Sequence, residues 1–110
     1  YNDVARYASI GTAAELNPNA IYVEHSNASD ADEASADTTD TWADAAEKTL
    51  CTKVSAAGVV TYTNNGAAPT TTAAFTFTDG VSLIPHIWFL HGTSSAAGVV
   101  VKRWTVRYTP

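Results

Sequence analysis

Ala73-Ala74-Phe75-Thr76-Phe77-Thr78-Asp79-Gly80-Val81 decides how the fold reads. Apolar and polar side chains alternate from Ala73 to Thr78, the period of a half-buried strand, with Phe75 and Phe77 on one face and Thr76 and Thr78 on the other. Asp79-Gly80 supplies the residue pair that a type I′ hairpin turn favours. Val81–His91 then reads as a long apolar strand, with Pro85 placing it at an edge or a bulge. Beyond the small-residue loop Gly92–Gly98, Val99–Thr109 reads as a closing strand. Its Val100, Lys102, Trp104, Val106 and Tyr108 share one face, and Arg103, Thr105 and Arg107 share the other. Upstream, Val54 and Gly58–Thr63 form a β-branched run that ends in the turn Asn64-Asn65-Gly66. Short connections between these runs predict an antiparallel sheet of about four strands in meander order.

The first half reads differently. Val4–Ile10 places Val4, Tyr7 and Ala8 on one helical face, with Asn2 or Asp3 as N-cap and Gly11 as stop. Thr12-Ala13-Ala14-Glu15 has capping-box spacing, but Leu16-Asn17-Pro18-Asn19 ends that helix within a turn. Ile21-Tyr22-Val23 is expected as a short edge strand. Glu24 to Glu47 is acidic and Ala-rich, with no Lys or Arg. Its first part reads as loop. In its second part Asp40 would cap a helix over Thr41–Leu50 that turns Trp42, Ala45, Ala46 and Leu50 inward. The expected fold is therefore α+β, mainly β, in one domain of 110 residues. Residues 1–50 make the helical and acidic-loop part, and residues 51–110 make the sheet.

Charge and composition exclude several classes. Only 15% of residues are charged, and the net charge is −5. That balance argues against a nucleic-acid partner. No apolar run reaches the ~18–20 residues a membrane span needs. Charge is also segregated. Residues 1–50 set ten acids against Arg6 and Lys48, a balance of −8, whereas residues 51–110 set Lys53, Lys102, Arg103 and Arg107 against Asp79, a balance of +3. A basic strand face and an acidic loop on one small molecule suit head-to-tail contact between copies, with Asp30, Asp32, Glu33 and Asp37 meeting Lys102, Arg103 and Arg107 of a neighbour. The sequence contains no Met, which reads as a processed, exported chain.

No motif of catalysis or metal binding stands. Phe89-Leu90-His91-Gly92 is like an oxyanion strand, but no G-x-S-x-G elbow follows it. Asp30-x-Asp32 opens like a calcium loop, yet Ala34, Ser35 and Thr41 occupy the third-ligand, glycine and bidentate-Glu positions. His86 and His91 fall on opposite faces of a regular strand, and neither they nor His25 have partners at metal-ligand spacing. Cys51 is expected as a small buried side chain. Trp42, Trp88 and Trp104, with Tyr62 and Phe75, are expected to fill a core rather than to line a sugar-binding face. Trp104, Val106, Tyr108, Phe75, Phe77 and Tyr62 are expected in one buried layer. Asn27-Ala28-Ser29 matches the N-glycosylation sequon, and Thr70-Thr71-Thr72 beside Pro69 suits O-glycans.

From Leu50 to Tyr108 the order of features resembles the globular half of a type IV pilin. The residues that carry this are Leu50-Cys51-Thr52-Lys53-Val54, Gly58-Val59-Val60-Thr61-Tyr62-Thr63, Ala73-Ala74-Phe75-Thr76-Phe77-Thr78, Leu90-His91-Gly92 and Lys102-Arg103-Trp104-Thr105-Val106. The leading Phe, the early Glu, the long apolar helix and the C-terminal Cys pair of such pilins are missing. The chain is thus similar to the separate globular chain of a split pilin. The resemblance implies a non-catalytic structural subunit of an extracellular, cell-surface filament, with no cofactor. Its partners would be other copies of itself and a helical pilin subunit seated on Val4, Tyr7, Ile10 and Leu16. Because Val4–Ile10 offers too little apolar surface to hold a filament, the chain is expected not to assemble alone. A virion decoration or tail protein and a secreted carbohydrate-binding module are the alternatives.

Overall fold

A computed structural model describes residues 6–12, 16–17, 19–27, 33–43, 45–78, 80–89 and 99–108. Six strands form: β1 (Tyr7–Thr12), β2 (Ala20–Ser26), β3 (Ala34–Thr41), β4 (Leu50–Val54), β5 (Val59–Asn64) and β6 (Phe75–Thr76). They make two three-stranded antiparallel sheets, in order β1-β2-β3 and β4-β5-β6. The chain divides into two compact units, Tyr1–Gly80, which holds both sheets, and Val81–Pro110.

The described residues are all-β, and this overturns the α+β expectation. Where a helix was predicted over Val4–Ile10, Tyr7–Ile10 lie in β1, which pairs residue for residue with β2 from Tyr7↔Ser26 to Thr12↔Ile21. An isolated helix of about two turns has a costly nucleus and few bonds to offset it. Six cross-strand pairs that include Tyr7, Ile10 and Thr12 outweigh it. Val4 and the Thr12–Glu15 helix, apart from Thr12, lie outside the described residues. Ile21-Tyr22-Val23 belongs to the middle strand of its sheet, not to an edge.

The acidic stretch contains β3 where a loop was expected, and its predicted helix over Thr41–Leu50 is absent. Asp40 does not cap a helix. Its carboxylate instead accepts hydrogen bonds from Asn64 Nδ2 at 3.1 Å and Thr70 Oγ1 at 2.8 Å. Ala45 has a left-handed φ of 61°, which no helix interior permits. The Trp42 indole N–H donates to the Ala46 carbonyl at 2.8 Å, and Ala46 N–H donates to Ala43 at 3.1 Å, so the segment closes as a turn. Leu50 opens β4.

A bulge shapes β3. Ala20 pairs with Thr41 and Tyr22 with Asp37, so Ile21 faces the three residues Thr38, Thr39 and Asp40. Thr39 takes a φ of 62°, and its N–H is held by Asp37 Oδ1 at 2.7 Å. Thr38 is driven inward and fully buried. Its hydroxyl donates to the Ile21 carbonyl at 2.6 Å and accepts from Asp40 N–H at 3.2 Å. The hydroxyl thereby replaces ladder bonds that the extra residues remove.

The middle strand of each sheet supplies most of the core. Ile21 and Val23 on β2 are fully buried, and Val60 and Tyr62 on β5 alternate with exposed Val59 and Thr61. Two tight turns hold β5. Asn65 and Gly66 have φ of 53° and 85°, both left-handed as a type I′ turn requires. At the other end Gly58 has a φ of 79° and accepts from Phe77 N–H at 3.0 Å; a Cβ there would sit 2.6 Å from the Phe77 carbonyl oxygen. The sheets are tied by the Asp40 contacts and by the His25 ring of β2, which stacks on Phe75 of β6 at 4.3 Å.

The expected continuation of the sheet does not form. Val81–Phe89 and Val99–Tyr108 contribute no strand. Gly80 does adopt the left-handed φ of 80°, but Val81–Phe89 and the opening Val99-Val100-Val101 carry apolar side chains on both faces, and strands of that kind persist only between two covering layers. The described residues of Val81–Pro110 form no such layer. Of the predicted buried layer, Tyr62 and Phe77 are buried and Phe75 is half-buried, whereas Trp104, Val106 and Tyr108 are exposed.

Two substitutions test this account by denaturant unfolding. Thr38→Val keeps the shape but leaves the Ile21 carbonyl and Asp40 N–H without the hydroxyl, and is expected to cost about 2 kcal/mol. Gly58→Ala meets both a forbidden φ and a backbone clash, and is expected to cost at least about 2 kcal/mol. A loss under about 0.5 kcal/mol in either would remove the role assigned to that residue.

Candidate functional site

Of the expected helix-docking set, the structure describes Tyr7, Ile10 and Leu16. Tyr7 is buried on β1, and Ile10, three positions on, is half-buried and points to the opposite face of that strand. Leu16 is exposed between β1 and β2. Val4 lies outside the described residues.

The large exposed apolar surface lies elsewhere. Of thirteen large apolar side chains exposed among the described residues, eleven fall between Leu83 and Tyr108. Ile84, Val100 and Tyr108 are 83%, 81% and 90% exposed, and even Trp104 is 52% exposed. Large apolar side chains exposed in such number are unusual for a soluble monomer. Two contacts in this unit join residues two apart, the same-side spacing of extended chain: the His86 ring lies 5.0 Å from Trp88, and Arg103 Nε donates to Thr105 Oγ1 at 3.2 Å. Residues 81–110 hold Lys102, Arg103 and Arg107 and no acid. All three cations are exposed. The unit is therefore apolar, basic and β-prone at once.

The acidic counterpart is the N-terminal half of β3. Glu33 and Asp37 are exposed, with Ala34, Ser35 and Ala36 between them. One side of this stretch pairs with β2. On its other side, Thr71 N–H reaches the Thr38 carbonyl at 2.9 Å, so the edge is covered from Thr38 but not before it among the described residues. Asp30 and Asp32 lie outside the described residues.

Other predicted sites are placed as follows. Asn27 is half-buried, with its Oδ1 accepting from Thr78 Oγ1 at 3.3 Å. Ala28 and Ser29 of the sequon are outside the described residues. The Thr70 hydroxyl is engaged by Asp40. Cys51 is exposed on β4, against the expectation of burial, because β4 is an outer strand. Trp42 is half-buried, and Trp88 and Trp104 are exposed. Among the described residues no three His, Cys, Asp or Glu side chains gather as a metal site would require.

The signal that sequence reading passed over is in 81–108 itself. A strand meant to face water on one side alternates, but Val99-Val100-Val101 and Ile87-Trp88-Phe89 do not. Chains without such alternation need cover on both faces. No protein-family model, curated protein or solved structure matches this chain.

Among the described residues, His25 and two carboxyl groups have displaced pKa values. Burial against Phe75 lowers the His25 pKa, burial and then the neighbouring Glu33 charge raise that of Glu24, and hydrogen bonds from Asn64 and Thr70 lower that of Asp40. A depressed His pKa means that the folded state resists protonation. Stability from His25 is complete above its ordinary value of 6.5 and falls as pH drops from there through the lowered pKa. Glu24 acts in the opposite sense, losing stability as pH rises through 4.5, and Asp40 acts only below 3.8. The His25 contribution should therefore lower the denaturation midpoint as pH drops below 6.5, and His25→Gln should flatten that limb. An unchanged limb in His25→Gln would assign it to another group.

Proposed function

We propose that this chain is a non-catalytic structural subunit of an extracellular filament, in which Val81–Tyr108 supplies the cohesion between subunits. The observation that carries the reading is the eleven exposed large apolar side chains gathered between Leu83 and Tyr108. A monomeric protein pays a solubility penalty for such a surface, whereas an obligate subunit buries it. Charge segregation supports the same reading, because acids concentrate before residue 50 and cations dominate after it. Donor and acceptor surfaces that differ give heterologous contacts, and heterologous contacts propagate.

The resemblance to a pilin globular chain supports placing the filament at the cell surface. Thr and Ser in place of charged residues suit that setting. The helical pilin subunit remains the competing source of cohesion. It is no longer required on grounds of surface alone, since Val81–Tyr108 offers the apolar area that Val4–Ile10 was thought to lack.

The test is immunogold electron microscopy of intact source material with antibody against the folded chain. Gold spaced along thin surface filaments is the expected result. Gold confined to capsids or tails, or absent outside the cell, would overturn the reading.

A further inference from the structure

The geometry points to strand exchange between copies: Val99–Tyr108 of one molecule adds as a strand to the outer edge of β3, at Ala34–Asp37, of a second copy of this chain. This rests on the filament reading and names its contact.

Four observations converge on this edge. Val99–Tyr108 is rich in β-formers, yet it contributes no strand and stays exposed. A chain of that kind gains most from an open sheet edge, whose unpaired N–H and C=O groups template a further strand. The second observation is charge. Arg103 and Arg107 lie on the donor, and the acceptor edge is flanked by Glu33 and Asp37. The other edges fit less well. β4 carries Lys53, β1 begins beside Arg6, and β6 is only two residues long.

The third observation is size. Ala34, Ser35 and Ala36 are small, and a strand laid beside them can seat Trp104 and Val106 without steric conflict. The fourth is area. Tyr108 is 90% exposed and Trp104 52%, so the two rings still have roughly 100–200 Å² each to bury, and the exposed valines add to it. Donor and acceptor are different surfaces, so each copy can give one strand and receive one, and the contact repeats along a line. The cations and acids fix which edge is used and in what register, while the apolar side chains hold it.

The experiment is sedimentation velocity on the full chain with paired variants, each checked for an unchanged far-UV circular dichroism spectrum. The native chain should form a concentration-dependent ladder of oligomers. Trp104→Asp should remove the donor, and the pair Glu33→Lys with Asp37→Lys should remove the acceptor; each should weaken self-association by about tenfold or more. Mixed together, these two variants should give dimers and nothing larger, because only one donor and one acceptor remain. Adding Arg103→Glu and Arg107→Glu to the acceptor variant should restore the ladder by exchanging the charges. Strand exchange is overturned by a native chain that stays monomeric, by a ladder that survives Trp104→Asp, by a mixture that extends beyond dimers, or by charge exchange that restores nothing. Labelled surface filaments together with any of these results would sink the exchange and keep the filament. The predicted ladder without labelled filaments would do the reverse.

Discussion

Folding of the first 80 residues turns on one side chain, Thr38. The β3 bulge brings Thr38, Thr39 and Asp40 opposite Ile21 alone, which would leave backbone groups buried and unpaired. The Thr38 hydroxyl answers both sides of that problem, donating to Ile21 and accepting from Asp40 N–H. Consequences spread outward. With the backbone turned at Thr39, the Asp40 carboxylate reaches Asn64 at the end of β5 and Thr70 beyond it, and the Thr38 carbonyl is free to receive Thr71 N–H. Remove the bulge and the link between the two sheets on that side goes with it. Other links stand apart from it, among them the ring contact between His25 and Phe75, a hydrogen bond from Thr78 to Asn27 and the approach of β1 to β4.

Cost accompanies that arrangement. The Tyr62 hydroxyl is buried without a hydrogen-bond partner among the described residues, and burial pushes its pKa up to about 12. A neighbouring acceptor, Asn64 Oδ1, is likewise buried and unpaired, while its Nδ2 serves Asp40. Both sit on β5, the strand bounded by the left-handed residues Gly58 and Asn65-Gly66. Constraint from Gly58 and from Asn65-Gly66 holds β5 in a register that satisfies the core and leaves these two polar atoms wanting.

Sequence patterning foretold the parts of the fold that depend on local chemistry. Gly58–Thr63, the turn at Asn64-Asn65-Gly66 and the pairing of sequence neighbours all follow from β-branching and from left-handed turn residues. What escaped it depends on partners distant in sequence. Tyr7–Thr12 reads as a short helix until β2 is there to pair with it, and Asp40 reads as a helix cap until Asn64 and Thr70 claim its oxygens. Ala34–Thr41 reads as a loop because Ala, Ser and Asp are poor strand formers, and only β2 alongside makes a strand of them. The candidate contact was half legible. Glu33, Asp37, Lys102, Arg103 and Arg107 stand out by charge, but the same reading placed Trp104, Val106 and Tyr108 in a core where the structure exposes them.

Both sheets join strands that follow one another along the chain, and this orders events in time. Neighbouring strands close short loops, the least costly kind, and such topologies form quickly. A ribosome delivers the sheet-bearing unit before Val81–Pro110, so both sheets can close without waiting for the last thirty residues.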